Sequence, residues 1–120
     1  MTLRESKRQI VAENAAELAG LGLRPQQVAA LQKLARQLHR LDEQLCNGFQ
    51  DGKGDWDEKA TERAERRQEQ AERAAKKIGA ESGLSVYLQG DPRGWPLLVS
   101  GETIQDHDTL RSGIVRVCPY

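Results

Sequence analysis

Leu31, Leu34, Leu38, Leu41 and Leu45 recur at alternating spacings of three and four within residues 26–47, a run that holds neither glycine nor proline. No other feature of the chain constrains its fold as strongly. The repeat draws one apolar line along a helix of about six turns, and such a line must be covered by another element. Pro25 suits a first helical position, where its missing N–H costs nothing. Asn47-Gly48 closes the run.

Glycine and proline delimit two further helical stretches. Residues 2–19 open on Thr2-Leu3-Arg4-Glu5, a capping-box pattern, and carry Val11, Ala15 and Leu18 on one face. Asn14 and Glu17 stand beside this stripe and narrow it, and Gly20 and Gly22 supply a stop. The third stretch starts with Asp55 as N-cap, with Glu58 three residues on, and its stripe is built from Ala60, Ala64, Ala71, Ala74, Ala75 and Ile78. Glu62–Arg66, Glu69–Arg73 and Glu72–Lys76 stand in the favourable i,i+4 order, each worth about 0.2–0.5 kcal/mol. A helix of this kind is expected to be largely solvated and docked along one edge.

From Gly83 the period drops to two. Leu84, Val86 and Leu88 alternate with Ser85, Tyr87 and Gln89; residues 96–99 and 113–118 form two further β-rich runs. The first two predict a hairpin around Gly90–Gly94, with the third strand pairing at an edge. Helices followed by strands argue for an α+β fold, and three strands need a helix on their apolar face. The expectation is a single domain over residues 1–120. It comprises an antiparallel helical hairpin at 1–48, a charged helix at 55–82 and a small three-stranded antiparallel sheet at 83–120, packed on the second helix.

The 120 residues carry 18 Lys+Arg against 18 Asp+Glu. That balance removes the bulk-electrostatic case for a nucleic-acid or membrane binder and leaves only a local basic patch. Two cysteines, Cys46 and Cys118, do not make a disulfide framework. No apolar run exceeds four residues, which excludes a membrane-spanning helix, and no apolar segment follows the charged start as a signal peptide requires. The cytoplasm is the expected compartment.

Two constellations could carry chemistry. In Gln89-Gly90-Asp91-Pro92-Arg93-Gly94, followed by Trp95, two glycines and a proline would make a rigid tip. Such a tip presents Arg93 beside free backbone N–H groups, an anion site; turn chemistry alone accounts equally well for these residues. On the second helix His39, Glu43 and Cys46 share one face at i, i+4 and i+7. A metal there would need Cys118 or His107 as a further ligand, and the spacing is no standard zinc pattern. A Cys46 thiolate is opposed by the negative end of the helix. The expected arrangement is His39 bonded to Glu43 or sheet backbone, with Cys46 packed as a small hydrophobe. No metal and no cofactor are expected. Asp106-His107-Asp108 reads as a solvated turn, and phosphate-loop, HExxH, GxSxG and CxxC patterns are absent. Arg24, Gln26, Gln27, Gln32 and Lys33 would serve a helix-turn-helix reading, but the long helices argue for hairpin packing instead.

Leu38-His39-Arg40-Leu41-Asp42-Glu43-Gln44-Leu45-Cys46-Asn47-Gly48 and Val86-Tyr87-Leu88-Gln89-Gly90-Asp91-Pro92-Arg93-Gly94 together resemble a family of small, mostly uncharacterised bacteriophage and prophage proteins. Its pattern is an LHRxxExxCN helix, a charged helix and a VYxQGDPRG hairpin; the likeness spans roughly residues 31–100, and Trp95-Pro96 departs from it. The resemblance implies a mobile-element setting inside a bacterial host cell. It also implies that His39, Glu43 and Cys46 face the Asp91–Arg93 turn.

The expected function is a phage accessory protein, non-enzymatic, that binds and modulates a host or defence protein or its nucleic-acid complex, for example as an inhibitor of a CRISPR-type effector. The alternatives are a nucleic-acid binder using Arg93 with Arg63, Arg66, Arg67, Arg73, Lys76 and Lys77, and a small enzyme using His39, Glu43 and Arg93. The helical seams also suit a homodimer.

Overall fold

The computed structural model describes residues 3–48, 57–88, 95–101 and 114–120. Three helices, α1 (Leu3–Gly20), α2 (Pro25–Asn47) and α3 (Glu58–Glu81), precede three strands, β1 (Ser85–Leu88), β2 (Leu97–Ser100) and β3 (Ile114–Val117). The fold is α+β, as the periodicity predicts. The leucine line of α2 is its spine: Leu31, Leu38 and Leu41 are buried and Leu34 and Leu45 half-buried. Leu31, Ala35 and Leu38 meet Leu97, Val99 and Val117 of the sheet in one continuous core.

The sheet is antiparallel throughout, in the order β1-β2-β3. Its register aligns Val86 with Val99 and Val99 with Val115, and Leu88 with Leu97 and Leu97 with Val117. Two rows of branched side chains therefore share one face, and that face is the one turned to the helices. The support is broader than α2 alone. β1 lies along α3, whereas β3 lies along α1 as well as α2.

Helix α3 is largely exposed and docked along one edge, as expected. It is packed along α2 more closely than α1 is, with Ala64, Ala71, Ala75 and Gly79 buried. Methyl-sized side chains bury little area each but let two backbones approach, so the alanine stripe makes a close contact where a leucine stripe would hold the helices apart. Its N-cap is Asp57, two residues beyond the predicted Asp55, which lies outside the described residues; the Asp57 carboxylate accepts the Ala60 N–H at 3.0 Å. Of the anticipated charge pairs, Glu72–Lys76 closes at 2.9 Å.

The joint from α3 into β1 depends on Gly79. Its carbonyl accepts the N–H groups of Ser82 and Leu84, at 3.0 and 2.8 Å, which folds the chain back onto the helix end. A Cβ at Gly79 would stand 2.5 Å from the Val86 Cγ2 methyl and 3.1 Å from the Leu84 carbonyl oxygen. Gly20, also helical, has open space around its Cα.

A second joint ties β3 to α1 through Asn14, which is 3 % exposed. Its Nδ2 donates to the Arg116 carbonyl, and its Oδ1 accepts the Cys118 N–H at 2.9 Å. A carbonyl at one position and an N–H two residues on, pointing the same way, are the groups a neighbouring strand would use. Asn14 thus stands in for a fourth strand at the β3 edge. From α2, Gln32 Nε2 reaches Asn14 Oδ1 at 3.3 Å and the Val11 carbonyl at 3.2 Å.

Asn14→Ala strands a buried carbonyl and a buried N–H and should lower the unfolding free energy by about 3 kcal/mol, read from urea denaturation. Gly79→Ala should destabilise through the Val86 clash. Gly20→Ala should stabilise by about 0.4–1 kcal/mol, so the two glycine variants shift the thermal midpoint in opposite directions.

Candidate functional site

The apolar stripe of α1 outruns its cover. Leu18 is buried and Ala15 half-buried in the core, but toward the helix start the same face rises into solvent, and Leu3 is 74 % exposed. Tyr120, just past β3, lies beside it. Between them is a trough of about 720 Å³, floored by Leu3, Val11, Ala12, Ala15 and Tyr120. Arg4, Lys7 and Arg8 also line it. The acidic residues of α1, Glu5, Glu13 and Glu17, fall on its other sides at 100° per residue.

Ring and backbone contacts position Tyr120. The Trp95 ring meets it edge-on, with centroids 5.9 Å apart and planes at 78°. Lys7 Nζ sits 5.6 Å from its ring centroid, a cation–π contact worth about 0.5–1 kcal/mol at an exposed site. Arg36 Nη1 donates to its backbone oxygen at 3.1 Å. A second concavity, of about 560 Å³, adjoins Tyr120 and is lined by Lys7, Arg36, His39, Arg40, Glu43 and Pro119.

Among the residues singled out in the sequence, His39 and Glu43 meet, Nδ1 to Oε1, at 3.7 Å. They stand beside the 119–120 tail, and Trp95 reaches the same tail. Cys46 does not join them. It is exposed, contrary to the expected packing, because the last turn of α2 runs past the core that covers Leu41. The cysteine that behaves as a small hydrophobe is Cys118, fully buried. Burial pushes its thiol up, only partly offset by a backbone hydrogen bond from Tyr120 and by the Arg36 charge, so it is protonated and inert near neutral pH.

Gln89, Gly90, Asp91, Arg93 and Gly94 lie outside the described residues, as do 106–108. Whether the turn meets His39 and Glu43 therefore falls outside them too. Among the described residues no three His, Cys, Asp or Glu side chains are grouped as metal ligands. The helix-turn-helix reading loses two of its readers: Gln27 and Gln32 are buried. Gln27 Oε1 accepts the Arg24 N–H at 2.9 Å and the Ser82 hydroxyl at 3.1 Å, which ties α2 to the end of α3.

Sequence reasoning missed Leu3, Lys7, Arg36 and Tyr120. One signal was present: Leu3, Lys7 and Val11 are spaced by four, with Arg4 and Arg8 alongside, so an apolar line with a cationic flank extends to the helix start. No family model, curated protein or solved structure matches the chain.

Asp42 lies between α2 and α3, where Gln68 Nε2 donates to its Oδ1 at 2.6 Å. Burial raises its carboxyl above the ordinary 3.8, against the lowering effects of the Gln68 hydrogen bond and the His39 charge. A raised folded value means that the folded state holds this proton more tightly than the unfolded chain does. The resulting stability is fully present below pH 3.8 and is lost as pH rises through the elevated folded value. Asp42→Asn keeps the acceptor without the charge. Its thermal midpoint should exceed that of wild type at pH 7, and calorimetry at pH 3 should find the gap closed.

Proposed function

We propose that this chain is a non-enzymatic interaction protein of a bacteriophage or other mobile element, which binds a host or defence protein and modulates it. The observation that carries this reading is the trough on α1: an open apolar floor along which Arg4, Lys7 and Arg8 are ranged. Apolar surface gathered into one concave patch is a feature of docking sites, whereas singly scattered apolar residues are ordinary. Its rim adds charge selection, since an acidic partner is steered in and a basic one repelled. The tandem LHRxxExxCN and VYxQGDPRG motifs supply the mobile-element setting and the bacterial cytoplasm as the place of action.

The trough suits a foreign partner better than a second copy of the chain. A two-fold contact through it would set Arg4, Lys7 and Arg8 against their own equivalents, with like charges closing on each other as the apolar floor is buried.

Affinity capture from a bacterial lysate, with wild type, Leu3→Glu and Arg93→Ala as parallel baits, tests the reading. Wild type should retain a partner in stoichiometric amount. Leu3→Glu should retain at least ten-fold less while melting at the wild-type temperature, because Leu3 touches solvent over most of its surface. Identical capture by wild type and Leu3→Glu would remove the trough from the function.

A further inference from the structure

Cations are not spread evenly over this neutral chain. Lys7, Arg36 and Arg40 line the concavity beside Tyr120. Arg40 also lines, with Gln37, Gln44 and Arg67, a groove of about 250 Å³ between α2 and α3. Arg67 and Arg63 then line its neighbour, of about 220 Å³. Each concavity shares a cation with the next, so Lys7, Arg36, Arg40, Arg67 and Arg63 form one unbroken band from α1 across α2 to α3.

Among the described residues lining this band, one is acidic: Glu43, whose Oε1 lies 3.7 Å from His39 Nδ1. On α3, at 100° per residue, Glu58, Glu62, Glu65, Glu69 and Glu72 fall on one flank, while Arg63 and Arg67 fall more than a quarter-turn away, on the side that meets α2; Glu81 shares the Arg63 direction but stands at the far end of the helix. Asp42 is engaged by Gln68.

We infer that the band is a track for the phosphate backbone of a nucleic acid. Four of its five cations are guanidinium groups, whose planar fork matches phosphate oxygens two at a time. Beside Leu41, the side chains between them in the α2–α3 groove are the amides of Gln37 and Gln44, which hydrogen-bond phosphate and sugar. Two interhelical spacings of 8–10 Å make the track about 20 Å long, enough for about six phosphates along one strand of a duplex. The inference stands on the cation band and does not depend on the trough.

Fluorescence anisotropy with labelled dT20 and a labelled 20-base-pair duplex, across 25–300 mM KCl, tests it. Saturable binding is expected at low salt, with log affinity falling against log salt at a slope of about −3.5 on dT20 and about −4.5 on the duplex. Arg40→Glu/Arg67→Glu should weaken binding at least ten-fold and flatten the slope by roughly one for each residue removed. Both positions are exposed, and Arg40→Gln/Arg67→Gln should show the same direction without reversing charge. Arg66→Glu/Arg73→Glu, on the α3 flank away from α2, should change affinity less than three-fold, and Leu3→Ala, which thins the trough, should leave it unchanged. Absence of binding at 25 mM KCl, or wild-type affinity in both band double variants, would overturn the inference. So would poly-glutamate competing as well as unlabelled oligonucleotide, which would assign the band to acidic proteins.

Discussion

Beyond the shared apolar core, one side-chain amide pins α1 to the edge of the sheet. Strand β3 is the last of its sheet, and its outer row of backbone groups needs partners that water or another chain would otherwise supply. Asn14 meets that need from the middle of α1, engaging the Arg116 carbonyl and the Cys118 N–H at once, while Gln32 on α2 holds the Asn14 oxygen. With three elements converging on one buried group, α1 cannot shift without breaking the strand's contact. The 119–120 tail that follows β3 inherits its position from the same joint, and the trough inherits its far wall.

At the other edge of the sheet the chain relies on close approach. Helix α3 approaches β1 at Gly79, where no side chain intervenes, and approaches α2 through alanines. Small residues bring backbones near and leave the longer charged side chains to project outward from the contact. Close packing and an exposed row of cations are thus two faces of one composition: the alanine side of α3 sets how near Arg63 and Arg67 come to Arg40.

Local patterns were legible and long-range partners were not. The leucine line of α2, the glycine and proline boundaries, and the alternation at 84–89 and 114–117 lead directly to three helices and three antiparallel strands. These are signals of period and punctuation, which a chain carries within a dozen residues. Asn14 could be seen only as a polar interruption of a narrow stripe, because its partner is 102 residues downstream. That α3 lies along both α2 and β1 was not legible for a related reason. Alanine contributes little hydrophobic weight to a pattern, yet its small volume is what permits close contact. Cys46 was expected to pack and is exposed, because burial depends on where the covering element ends. Of the candidate site, His39, Glu43 and Trp95 were visible as residues, whereas the trough and the band arise from helices meeting a tail, which no spacing within one element encodes.

Lys7 belongs to both concavities beside Tyr120 and also lies over that ring. A molecule that draws its ammonium toward one side withdraws it from the other. If a protein occupies the trough and a polyanion the band, as proposed, the two occupancies are linked through Lys7, and the linkage is reciprocal: whatever factor one imposes on the other is returned in equal measure. Lys7 is the cation the two surfaces share.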